Sequence, residues 1–191
     1  PAQTLTFSIT GGADAAKFAI NASTGIVTFI SSPNFEAPTD AGADNIYNLT
    51  VTASDGTRSS SQTIAVTVTP VNEFSPVFTS AATANFAENA TGTVIDVNAT
   101  DADLPAQTLT FSITGGADAA KFAINATTGI VTFVASPNFE SPTDVGADNV
   151  YDLTVTASDG TRTVSQAIAV TVTPVNEFSP VFTSAATASF A

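Results

Sequence analysis

The chain has 191 residues and a formal charge of −13, from 17 acidic side chains against Lys17, Arg58, Lys121 and Arg162. Cys, His, Met and Trp are absent, which excludes disulfide staples, thiolate nucleophiles, imidazole bases and soft zinc-type ligands. The acidic balance argues against nucleic acid and anionic membranes, whose phosphates attract Lys and Arg. No apolar run approaches transmembrane length, and no signal peptide is visible.

Residues 1–87 match 105–191 at a constant offset of 104, with only 11 of the 87 aligned positions different. So long a period implies tandem whole domains rather than a solenoid of small units. Thr, Val, Ile and Phe are abundant while Leu, Lys and Glu are scarce, which favours strands. We therefore divide the chain into 1–74, an incomplete repeat lacking its first two strands; 75–178, a complete repeat; and 179–191, the first strand of a third. The part of the period with no first-repeat counterpart is Glu88–Leu104. The expected picture is a segment of a longer periodic polymer, with open sheet edges that invite strand donation.

In the complete repeat, Pro76–Thr79 begins an extended segment that resumes at Ala84–Ala87. Thr93–Thr100 alternates, with Ile95, Val97 and Ala99 on the inward face, and Thr108–Thr114 does so with Leu109, Phe111 and Ile113. Gly115-Gly116 stops that strand. A single helical turn is expected at Asp118–Lys121, capped by Asp118 as Asp14 caps its counterpart. Short strands follow at 121–125 and 130–134, then a polar loop at 136–149 whose aspartates, like Asp40 and Asp44 in the first repeat, read as solvation, with a second, intradomain ion as the alternative. Val150–Ala157 places Tyr151, Leu153, Val155 and Ala157 inward. Asp159-Gly160 signals a hairpin, and Thr163–Thr173 faces Val164, Ile168, Val170 and Val172 inward. Seven short strands at this spacing predict an all-β, two-sheet antiparallel sandwich.

On this map the acids fall at strand ends. Glu88 ends the first strand, Asp101 and Asp103 follow the second, Glu140 opens the long loop, and Asp159 ends the Tyr151 strand. Glu73 and Glu177 lie in the twice-repeated junction Thr-Pro-Val-Asn-Glu-Phe-Ser-Pro-Val-Phe. Calcium takes six to eight oxygens, often from sequence-distant loops, and a sandwich clusters its loops at its two ends.

Glu88-Asn89, Asp101-Ala102-Asp103, Asp118–Ile124 with Thr128-Gly129-Ile130, Leu153–Asp159 and Val71–Pro76 together resemble cadherin-like repeats, in particular those of large bacterial surface adhesins. The resemblance implies tandem seven-stranded Greek-key sandwiches of the cadherin/immunoglobulin-like kind, with Ca2+ at the junctions. It assigns Glu36, Asn72 (by its carbonyl), Glu73, Asp101, Asp103 and Asp159 to one junction, with Asn34 also weighed. Glu88, Glu140, Asn176 and Glu177 would form the lower half of the next, and Asp55 the upper half of a preceding one. Pro70 and Phe74 stand where the family has an aspartate and an asparagine, and Asn34 and Asn138 stand for aspartates. One or two ions per junction and weaker binding are therefore expected.

The implied function is that of an extracellular, cell-surface adhesin spacer stiffened by calcium. Its partners are neighbouring copies of the repeat, with no nucleic acid and no membrane insertion. A self-assembling filament and a glycan- or surface-binding module are the alternatives. An enzyme is not expected, since no carboxylate pair is set in an aromatic-lined pocket and the repeat would duplicate the site. Asn-x-Ser/Thr sequons occur at Asn21, Asn48, Asn89, Asn98 and Asn125.

Overall fold

Alternating Thr, Val and Ile become strands throughout the computed structural model, which describes residues 4–184, 186 and 187. Contacts divide the chain into two compact units. One comprises residues up to Phe74 together with Asp101–Gln107, and the other comprises Ser75–Thr100 together with the residues from Thr108 onward.

Unit 1 contains β1 (Thr6–Gly11), β2 (Phe18–Ile20), β3 (Val27–Phe29), β4 (Ile46–Ser54) and β5 (Ser59–Thr67). One sheet has the order β1-β4-β5, and β2 pairs with β3. Its buried apolar residues are Phe18, Tyr47 and Leu49. The rings of Phe18 and Phe29 lie 4.5 Å apart, and Phe29 meets Tyr47 edge-on at 5.1 Å.

Unit 2 contains β6 (Val77–Phe78), β7 (Thr83–Ala87), β8 (Thr93–Asp96), β9 (Ala99–Thr100) and β10 (Thr110–Gly115). It continues with β11 (Phe122–Ile124), β12 (Ile130–Phe133), β13 (Val150–Ser158) and β14 (Thr163–Thr173). Its sheets have the orders β10-β13-β14-β7 and β11-β12-β8, with β6 paired to β9. The first strand is thus in two pieces. β6 pairs antiparallel with β9, and the chain then crosses so that β7 runs parallel to β14, from Ala169↔Thr83 to Thr173↔Ala87. This parallel edge departs from the wholly antiparallel sandwich expected from the sequence.

The second strand is likewise split. A register shift opposite Val131/Thr132 turns Val94 into the core (8% exposed) as well as Val97 (0%), whereas strict alternation predicts Ile95 there. Phe111, Val131, Leu153, Val155, Ile168 and Val170 fill the space between the layers. Each such side chain taken from water contributes about 1.5–3 kcal/mol of transfer free energy.

The 3₁₀ turns at Ala15–Lys17 and Ala119–Lys121 sit where the helical turns are expected, but neither is capped by a side chain. Asp118 is 3% exposed and accepts N–H groups from Val145 (2.8 Å) and Asp152 (2.9 Å). Asp14 does the same with Ala41 and Asn48. These aspartates therefore clamp the long loop to β4 or β13 instead of capping the turn. Gly116, at φ 102°, makes this possible, because a Cβ there would lie 2.3 Å from the Leu153 Cα.

The loop aspartates are structural too. Asp40 accepts N–H groups from Gly42, Asp44 and Asn45, and Asp144 accepts from Asp148 and Asn149. Both are buried, at 7% and 6% exposed, so neither is simple solvation. After β14 the described residues up to Thr187 carry no strand, and residues 188–191, part of the segment assigned to a third repeat, lie outside the described residues.

Candidate metal centre

Glu88 organises one end of unit 2. Its backbone N–H continues the β7–β14 ladder by donating to the Thr173 carbonyl at 3.0 Å, and the next residue, Asn89, turns away at φ 58°. That geometry buries the Glu88 side chain, at 2% exposed. One carboxylate oxygen accepts the Val175 N–H at 2.7 Å and the other the Phe139 N–H at 2.8 Å. A single carboxylate thus ties the end of β7 to the long loop and to the segment after β14.

The loop is itself fixed. Asn149, in the left-handed region at φ 64°, donates its side-chain amide to the Phe139 carbonyl at 3.0 Å, and its own N–H is held by Asp144. These bonds deliver Glu140 to the place where Glu88 and Glu177 meet. Carboxylate oxygens of Glu88, Glu140 and Glu177 lie within 4.8 Å of one another. The Asn89 amide donates to Glu177.

Three carboxylates this close cannot all ionise freely. The Val175 and Phe139 N–H groups hold Glu88 below the usual carboxylate range. Glu140 moves the other way. Its own backbone N–H favours the anion, but burial and the neighbouring Glu88 and Glu177 carboxylates outweigh it and raise its pKa. A hard divalent cation relieves this conflict, and an all-oxygen donor set suits Ca2+ or Mg2+ better than a soft metal. The residues present therefore fit calcium.

In unit 1, Asp103 is 1% exposed and accepts the N–H groups of Glu73 (3.1 Å) and Phe74 (3.2 Å to the nearer oxygen). Asp101 accepts the Asp103 N–H at 3.0 Å, while its other oxygen is buried with no hydrogen-bond donor. Asn72 donates to Gln107 at 2.9 Å, and its side-chain oxygen is also buried without a donor. Each of these two oxygens carries an uncompensated desolvation cost that a cation would relieve.

Glu36 accepts only a long 3.4 Å bond from the Leu104 N–H. Asp55, on the turn after β4, accepts the Thr57 and Arg58 N–H groups, with Arg58 the larger influence lowering its pKa. Asp159 makes the equivalent turn in unit 2 with Thr161 and Arg162. Asn176 is exposed. Asn34 and Asn138 use their side-chain oxygens to close turns, on the N–H groups of Glu36 and Ser141. Sequence reasoning missed the supporting roles of Asp118, Asp144, Asn89 and Asn149. The only available signal was the spacing Asp144-x-Gly146-x-Asp148-Asn149, which reads equally well as a polar loop.

Residues 82–173 match the sequence profile of the cadherin domain family. Human Protocadherin Fat 1 is 32% identical over 188 residues, covering 93% of this chain and 4% of that protein. Halomucin of Haloquadratum walsbyi (strain DSM 16790 / HBSQ001) is 44% identical over 71 residues, covering 36% of this chain and 1% of halomucin. The chain thus spans only a few per cent of these relatives. Among solved structures, human protocadherin-24 EC1-2 superposes with a TM-score of 0.68 at 21% identity, covering 91% of this chain and 83% of that one. Mouse cadherin-23 EC22-24 gives 0.63 at 27% identity, over 90% and 53%. Over residues 82–173 the chain is thus similar to cadherin domains.

Proposed function

We infer that the chain is a spacer segment of an extracellular, cell-surface adhesin, with calcium bound at the ends of its sandwiches to stiffen the array. The observation that carries this reading is the convergence of Glu88, Glu140 and Glu177, whose mutual repulsion raises the Glu140 pKa and would be relieved by a bound cation. The cadherin match supports an adhesion-type repeat, and the similarity to halomucin supports a prokaryotic surface protein.

The ligands proposed are those three glutamates with Asn176, and in the other junctions Glu36, Asn72, Glu73, Asp101, Asp103, Asp159 and Asp55. The partners are neighbouring repeats of the same array. Among the described residues no helix is long and apolar enough to cross a membrane.

Calorimetry with and without calcium tests the reading. Extracellular calcium modules bind at roughly 10⁻⁴–10⁻³ M. An ion at about ten times its Kd adds about 1.4 kcal/mol, which raises the Tm of a domain of this size by about 5–10 °C. EDTA reverses the gain, and solution scattering then reports a less extended chain. A Tm and scattering profile indifferent to both calcium and EDTA overturns the reading.

A further inference from the structure

Each unit carries the same hollow beside its 3₁₀ turn. In unit 2 it has a volume of about 270 Å³, with Lys121, Phe133, Val134, Ser136, Thr143 and Tyr151 in its walls. In unit 1 it has about 350 Å³, with the matching Lys17, Phe29, Ile30, Ser32, Thr39 and Tyr47. Two separately folded copies therefore build one cavity, near the lower end of the ~300–1,000 Å³ typical of small-ligand sites.

Its charge is unlike the rest of the molecule. Acids outnumber bases 17 to 4 along the chain, yet each hollow is lined by a lysine and by no carboxylate. Of the acids adjacent in sequence to the walls, Asp40 and Asp144 are occupied by loop N–H groups, as are Asp14 and Asp118 beyond them, and Glu36, beside Ala37, accepts the Leu104 N–H. An anionic ligand thus meets a cation in these two places while the surrounding surface repels it. The other walls describe the rest of the ligand. Phe29 and Phe133 are half-buried, so each leaves part of a ring facing the space, and serine and threonine hydroxyls stand beside it. The tyrosine oxygen is held at the base by the N–H of Thr39 or Thr143, which fixes that wall.

We propose that each hollow binds a small carboxylated sugar of the hexuronate class. The lysine ammonium takes the carboxylate, the phenylalanine ring takes the C–H face of the pyranose, and the Ser and Thr hydroxyls take its ring hydroxyls. The site needs no metal, so it stands apart from the calcium reading.

The test is an amide-resolved NMR titration of the 191-residue chain with sodium glucuronate in EDTA, with glucose as the uncharged counterpart. The expected result is saturable shifts at Lys17, 29–33 and Thr39 and at Lys121, 133–137 and Thr143, with glucose at least about tenfold weaker. Lys121→Gln weakens binding about tenfold in unit 2 and leaves unit 1 unchanged, and Lys17→Gln does the reverse. No saturable shift, an equal response to glucose, or indifference to the lysine substitutions overturns the proposal. Shifts confined to the Glu88, Glu140 and Glu177 region also overturn it, and none of these outcomes touches the calcium-dependent Tm.

Discussion

Ile168 is 1% exposed in unit 2, whereas Ile64, the same residue at the equivalent position of unit 1, is only half-buried. Val155 and Val51 differ in the same way, as do Val170 and Val66, and Val172 and Val68. Leu153 and Leu49 do not differ, and neither do Tyr151 and Tyr47, all at 1%. The contrast follows the strands. Both units have the β2–β3 or β11–β12 hairpin that covers the leucine and the tyrosine. Among the described residues, unit 2 alone has a further strand beside its last strand (β7) and beside its second hairpin strand (β8). Burial here is a property of what packs on a residue, not of the residue.

The largest expected effect tests that directly. Ile168→Ala costs unit 2 about 2–5 kcal/mol, in the range for a fully enclosed aliphatic side chain. Ile64→Ala costs unit 1 less than half as much, because water already reaches the site. Leu153→Ala and Leu49→Ala serve as the matched pair and cost the same. Urea unfolding followed by amide signals from each unit measures all four, and equal losses for the two isoleucines would break the comparison.

A second contrast concerns charge. Glu140 stands in a three-carboxylate group, while its counterpart Glu36 belongs to no such group among the described residues. Glu140→Gln is expected to raise the melting temperature of calcium-free unit 2, because it removes the member that Glu88 and Glu177 push toward neutrality. The same substitution abolishes the calcium-dependent rise in that unit. Glu36→Gln leaves calcium-free melting of unit 1 unchanged. Melting curves in EDTA and in millimolar calcium distinguish the four cases.

How much of this was legible follows from which signals are local. The strands at 150–158 and 163–173 were plain, because period-two alternation is written in adjacent residues. The parallel pairing of β7 was not, since Thr83–Ala87 alternates identically whichever neighbour it takes. The strand map puts Glu88 and Glu140 at strand ends and Glu177 in the junction, the resemblance groups them with Asn176, and the structure brings the three carboxylates together. That Asp118 and Asp144 hold the loop was invisible, because a buried acid receiving two N–H groups and a solvated acid share one sequence. Asp101 and Asp103 were counted with the second repeat but lie in the first compact unit, since Glu73 and Phe74 hold Asp103 there.

A smaller effect belongs to these loop acids. Burial opposes ionisation of Asp144, but the N–H groups of Asp148 and Asn149, together with its own, outweigh it and lower its pKa. A lowered folded-state pKa contributes stability that is complete above the ordinary aspartate value of 3.8 and is lost as pH falls through the folded value. Acid titration of unfolding is therefore expected to show unit 2 losing stability below that point, and Asp144→Asn flattens this part of the curve. Asp40, shifted in the same direction by the same kind of bonds, gives unit 1 a matching feature. If Asp40→Asn flattens one curve and Asp144→Asn leaves the other unchanged, the two loops are not equivalent.

The smallest effect returns to the missing cover. Val164 packs against the core of unit 2, and unit 1 has Ser60 at that position. If apolar residues stabilised by their identity alone, Ser60→Val would improve unit 1 by the transfer value of a buried valine, about 1.5–3 kcal/mol. The side chain it would join is half-exposed Ile64, on a last strand with no outer neighbour among the described residues. Ser60→Val is therefore expected to change unit 1 stability by no more than about 0.5 kcal/mol, the ordinary range for a surface position. Val164→Ser in unit 2 costs more than that, because there the side chain leaves a formed core. Measuring both in the same urea series decides whether the residue or its cover sets the stability of each unit.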